Sequence, residues 1–193
     1  LPDDPRYVEY APKFAELVKA QGGRVVLYET TPQTQNDKPL VSPPDAALVL
    51  AKERIIRSMA GRIGASVVPM AIVVQHCQTT RPDLTLRFVN DAHLNQTMAY
   101  LTACTFYGVL FDHSPEGLSV NTVRDIRYLD DQHRDLDRDS GPIKRVFSDK
   151  DRADLQRIAW EGIQQFRAPI LHTQRAVLLK LLRSRFKAAG GVS

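Results

Sequence analysis

Residues 84–111 read LTLRFVNDAHLNQTMAYLTACTFYGVLF, and how this stretch divides decides the fold. Leu84, Leu86 and Phe88 alternate with Thr85 and Arg87, as in a half-buried strand, and the apolar run from Gln96 to Phe111 reads as a helix. Between them lies Asn90-Asp91-Ala92-His93-Leu94-Asn95. A histidine on a turn between strand and helix is held by rigid elements on both sides yet stays open to substrate, and a neighbouring acid can fix its tautomer. The same residues also suit a polar turn without chemistry, with Asn95 or Asp91 as the helix N-cap.

Upstream, Tyr7, Tyr10, Phe14, Leu17 and Val18 recur at helical spacing, and Gly22-Gly23 stops that helix. Arg24 to Thr30 is short and almost wholly apolar, the reading of a buried parallel strand. Ser42-Pro43-Pro44-Asp45 has the order of a capping box, with Ser42 as N-cap of a helix running to about Ala60. Leu48, Ala51, Ile55, Ile56 and Met59 give that helix one apolar face, and Gly61 and Gly64 end it before a strand from Ala65 to Val74. Helix, strand, helix, strand in alternation indicates an open parallel sheet with helices on both faces, where sites gather beyond the carboxyl ends of the strands. Arg24–Thr30 and Ala65–Val74 are then expected as parallel neighbours. His93 falls at a strand end. The polar stretch from Thr30 to Ser42 falls at another, and reads equally as a cleft lining or a plain surface loop.

The histidine turn, the Tyr100-Leu101-Thr102-Ala103-Cys104-Thr105-Phe106-Tyr107 helix and the Ser114-Pro115-Glu116-Gly117-Leu118 exit together resemble the C-terminal block of the SGNH (GDSL-type) hydrolases. Arg24 to Pro32 is similar to a strand of the same family, so the resemblance spans roughly residues 6–118. It implies a flavodoxin-like three-layer α/β sandwich and makes His93 the catalytic histidine. The family usually places an Asp three residues before that histidine. Here the position is Asn90 and the nearest acid is Asp91, so the orienting group is Asp91, Asn90, or neither, in which case the site works as a dyad. The family's Gly-Asp-Ser nucleophile turn does not occur, nor does any serine sit in a Gly-x-Ser-x-Gly elbow. The expectation is therefore that the nucleophile half lies upstream or on another chain. The reaction implied is hydrolysis of acyl esters or carbohydrate O-acetyl esters, without a cofactor; the alternative is a non-catalytic binding or structural domain that keeps the scaffold. A secreted or periplasmic site of action fits the family, while the residues themselves fix no compartment.

The rest of the chain narrows the field. Of its 193 residues, 43% are hydrophobic and 25% charged, ordinary for a globular protein. No apolar run approaches the ~20 residues of a membrane span. Cys77 and Cys104 stand far apart, and Cys104 on an apolar helix reads as a buried thiol. The net charge of +4 gathers towards the C-terminus, on a helix-like run from Ile170 to Ala189 that reads as a solvated face rather than a nucleic-acid surface. Asp130 to Asp139 carries acids interleaved with Arg134 and Arg138, without calcium-loop spacing, and reads as a charged loop rather than a metal site. Ser148 caps a further helix whose Leu155, Ile158, Ala159, Ile163 and Phe166 face a core. The organisation expected is residues 1–129 as the hydrolase-like part and 130–193 as charged loop and helical extension. His76, taken to follow a strand, and His113, past a helix end, are left out of the catalytic set.

Overall fold

The computed structural model describes residues 4–30, 36–42 and 44–168, an α/β arrangement of α1 (Pro5–Ala20), β1 (Val26–Tyr28), α2 (Ala46–Ile63), β2 (Ser66–Val68), α3 (Met70–Thr80), α4 (Gln96–Phe111), β3 (Thr122–Arg124), β4 (Lys144–Val146) and α5 (Asp149–Arg167). The basic run expected at Ile170–Ala189 lies outside the described residues. β1 and β2 pair in parallel, Val26 opposite Ser66 and Tyr28 opposite Val68, as the alternation of elements required. Leu27 and Val67 turn one way, toward α1 and α2; Val26 and Val68 turn the other, into the core shared by α3, α4 and α5. β3 and β4 form a separate antiparallel pair. Among the described residues no helix is long and apolar enough to cross a membrane.

Two expected strands take other forms. The apolar run from Ala65 is a strand only over Ser66–Val68; from Met70 it is α3, in which Met70, Val73, Val74 and Cys77 are buried at helical spacing. A continuous apolar run satisfies a buried strand and a buried helix alike, so periodicity alone could not divide it. Leu84–Val89 is not a strand either. It runs as irregular chain closed by one antiparallel bridge, Arg87 to Leu94, with Leu84, Leu86 and Phe88 all buried. Three of its main-chain bonds go to Asn36, whose carbonyl accepts from Leu86 N (2.8 Å) and Arg87 N (3.1 Å) and whose side chain donates to Leu84 O (2.8 Å).

Caps explain where the helices begin. Asp45, not Ser42, caps α2 by accepting from Ala47 N at 2.8 Å, and Gly64, in the left-handed region at φ 58°, ends it. The buried face of α2 is Val49, Glu53, Ile56, Met59, Ala60 and Ile63; Ile56 and Met59 are buried as expected, while Leu48 and Ile55 are exposed. α1 shows the same discrepancy more strongly: Tyr10, Phe14, Leu17 and Val18 are exposed, and Ala15 is its buried residue. α5 follows expectation, capped by Ser148 accepting from Asp151 N, with Leu155, Ile158, Ala159 and Ile163 buried against α3 and α4. Both cysteines are free and buried, and burial pushes each thiol up to about 12.

Candidate functional site

The turn that carries His93 is built by carboxylates. Asp139 accepts from Val89 N at 2.8 Å and from Asn90 N at 2.9 Å, so a residue of the charged loop pins the entrance of the turn. Phe88 N donates to His93 O at 3.1 Å and closes its exit. Asn95 then starts α4: its Oδ1 accepts from Thr97 N (3.0 Å) and Met98 N (3.2 Å), while its Nδ2 donates to Thr85 O (2.9 Å). With both flanks tied, the residues between them have little freedom.

Of the two candidate partners, Asp91 is the one whose side chain meets the His93 ring. Its Oδ1 accepts from His93 N at 2.9 Å and also pairs with His93 Nδ1. Hydrogen bonding to the His93 ring, followed by the bond from the His93 main chain, holds the Asp91 carboxyl below its ordinary range, so it stays ionised. Its second oxygen lies 3.7 Å from Arg138 Nε. A carboxylate on Nδ1 selects the tautomer with the proton on Nδ1 and leaves Nε2 as an acceptor. The His93 side chain is 69% exposed, and among the described residues Asp91 alone bonds its ring. Asn90 takes no part through its side chain; it contributes its main-chain N–H to Asp139.

An open cleft of about 460 Å³ is lined by Ile126, Arg127, Tyr128, Leu129, Asp130, Asp131 and Arg138, and neither His93 nor Asp91 is in its lining. Arg138 lines this cleft and also faces Asp91. The charged loop thus does more than meet solvent. Asp137 is buried, accepting from Gln96 Nε2 at 2.9 Å, and Asp130 bonds His133 within a local turn. Sequence reading gave Arg138 and Asp139 no role at the site. They approach it across some fifty positions of chain, a separation that local pattern cannot bridge.

The other histidines have partners of their own. His76 sits on α3, not on an extended segment, and its Nε2 pairs with Glu161 at 2.6 Å. His113 uses Nδ1 on Phe111 O at 2.7 Å, just past the α4 C-cap Asp112.

A further ionisable group was missed altogether. Glu29, 2% exposed, follows β1 and accepts from Ala71 N at 3.1 Å through Oε2. It serves α3 as a cap from across the sheet, because Pro69 at the cap position offers no side-chain acceptor. Burial raises its pKa to about 7, and its Oε1 has no partner among the described residues. The signal was an acid closing an otherwise apolar strand at the end where α/β sites gather.

No protein-family model matches the chain, and neither the curated proteins nor the solved structures contain a match. The case for function rests on residues alone. Among the described residues no cluster of His, Cys, Asp or Glu is arranged to hold a metal ion.

Proposed function

We propose that the chain carries the histidine side of an SGNH-type ester hydrolase site, on part of a flavodoxin-like sandwich, with His93 as general base and Asp91 as its orienting partner. The observation that carries this reading is the His93–Asp91 pair: a carboxylate held on Nδ1 while Nε2 stays open. Helices on both faces of β1 and β2 are consistent with the scaffold. The polar cleft along Arg127, Tyr128, Asp131 and Arg138 supports a hydroxyl-rich substrate, such as an O-acetylated carbohydrate, which needs donors and acceptors on its walls.

In the reaction, Nε2 takes the proton of a serine hydroxyl as its oxygen attacks the ester carbonyl. Asp91 offsets the charge of the resulting imidazolium, which returns the proton to the departing alcohol. Water then attacks the acyl-serine by the same exchange, with Nε2 first accepting and then giving back a proton. These residues do not supply the serine in the family's Gly-Asp-Ser turn, so the reading requires it from elsewhere. A second reading, a binding or structural domain without catalysis, is favoured by one observation: among the described residues no serine hydroxyl hydrogen-bonds the His93 ring.

The test is ester turnover with acetylated carbohydrate in a preparation shown to supply the serine. His93→Ala should lower turnover by roughly three to four orders of magnitude, as for loss of a triad base, with unfolding unchanged. Undiminished turnover in that variant would leave the scaffold reading in its place.

A further inference from the structure

A cleft of about 630 Å³ opens where the start of β2 meets α2, α4 and α5, and no residue of the His93 turn lines it. Its apolar lining is Ala60, Ala65, Val67, Val109, Ile163 and Phe166. The fold holds these walls in place. A Cβ on Gly108 of α4 would lie 2.5 Å from Ile163 Cδ1 of α5, so the two helices close on each other here. Phe166 packs against the cluster of Ile56, Ala60 and Val67. A cleft of this volume with apolar walls falls within the range of small-molecule sites.

Three guanidinium groups, of Arg54, Arg57 and Arg167, and two hydroxyls, of Ser58 and Ser66, join that lining, and no carboxylate does. Two of the three cations are answered from outside the cleft. Arg57 pairs with the buried Glu53 at 2.6 Å, donates to Phe166 O and lies over the Phe166 ring, 3.7 Å from its centroid. Arg167 pairs with Asp112 at 2.7 Å. Arg54 is exposed and has no acid partner among the described residues. Its neighbours three and four positions away on α2 are Leu50, Ala51, Arg57 and Ser58, none of them acidic. The cleft therefore sets one uncompensated positive charge beside an apolar lining. Other clefts of the molecule differ in this respect: Asp130 and Asp131 line one together with Arg127 and Arg138, and Asp125 lines another beside Arg127.

We propose that this cleft binds a monocarboxylate with an apolar tail, a ligand of the fatty-acid class, with its head on Arg54 and its tail along Val67, Val109 and Ile163. A guanidinium presents parallel N–H groups to both oxygens of a carboxylate, a match that an ammonium does not make. Ser58, one turn after Arg54 on the same face of α2, offers a further donor to the head. One uncompensated positive charge suits one negative charge. A cationic amphiphile would meet three arginines, and an uncharged one would leave Arg54 unanswered. The tail gains by exchanging water for the apolar walls. The site does not depend on the ester-hydrolase reading.

The test uses the full chain and octanoate as probe, below the concentration at which it forms micelles. Octanoate should bind saturably and shift the NMR signals of Ala60, Ala65, Val67, Val109 and Ile163. Hexanoate, two methylenes shorter, should bind about tenfold more weakly. Octanol and octyltrimethylammonium, which keep the tail and change the head, should each bind at least about tenfold more weakly than octanoate. Arg54→Gln should weaken octanoate by at least about tenfold with unfolding unchanged, whereas Lys13→Gln, which removes an exposed charge on α1, should leave it unaltered. Ser58→Trp, at an exposed position on the rim, should block the cleft. His93→Ala should leave octanoate binding unchanged, so the cleft and the ester chemistry fail separately. Octanol bound as tightly as octanoate would overturn the proposal, as would equal affinity in Arg54→Gln. So would an equal loss in Lys13→Gln, shifts that avoid the cleft, or the absence of saturable binding.

Discussion

Helices α1 and α5 both look amphipathic in sequence, yet they have different fates. Leu155, Ile158 and Ala159 of α5 are fully buried, whereas Phe14 and Leu17 of α1 are each 65% exposed. α5 lies across α3 and α4 so closely that a Cβ on Gly162 would come within 2.6 Å of a Val73 methyl and 3.0 Å of Val73 Cα. No described element covers the outer side of α1 in this way. Apolar periodicity says that a helix has a side to bury; it does not say whether the partner is on the same stretch of chain.

This contrast can be broken by mutation. Ile158→Ala should destabilise the chain by about 4 kcal/mol, because the surrounding α3–α4–α5 core relaxes only partly into the space. Denaturant unfolding with an unchanged m-value would measure it.

Glu29 sits at the seam between the two regions and gives the next effect. Its folded-state pKa of about 7 lies above the ordinary 4.5, so the folded form holds the proton more tightly than the unfolded chain. The stability it contributes is complete below that ordinary value and is lost as pH rises through the folded one. The loss amounts to about 3 kcal/mol. Glu29→Gln keeps an acceptor for Ala71 N and removes the charge, so its unfolding free energy should stay flat across this window. An equal fall in the variant would mean that other groups set the dependence.

The smallest effect belongs to the open side. Phe14→Ala should cost no more than about 0.5 kcal/mol, as for an exposed position. A cost near that of Ile158→Ala would show α1 to be covered in solution and would erase the contrast.

What the sequence disclosed follows the same division. Helices α4 and α5 were legible because their caps, Asn95 and Ser148, and their apolar content agree with burial in a finished core. The parallel pairing of β1 with β2 was legible from the alternation of elements. The split of Ala65–Val74 into strand and helix was not read, because Val67–Val68 and Met70–Val74 are apolar enough for either form, although Pro69 stands at the boundary between them. The irregular path of Leu84–Val89 was hidden too, since the partner of its main chain is Asn36, far away in sequence. At the candidate site, His93 and Asp91 stood together in the sequence and are joined in space, while Asn90 contributes only its main chain. Arg138 and Asp139 approach from a loop that local spacing could describe only as charged.

The central claim is that Asp91 fixes the proton of His93 on Nδ1 and keeps Nε2 free. Long-range proton–nitrogen NMR of the imidazole, with the ring neutral, measures this directly. The account predicts the Nδ1-protonated tautomer for His93 in the native chain, reverting toward the usual Nε2-protonated form in Asp91→Ala. An Nε2-protonated His93 in the native chain, unchanged by that substitution, would contradict it.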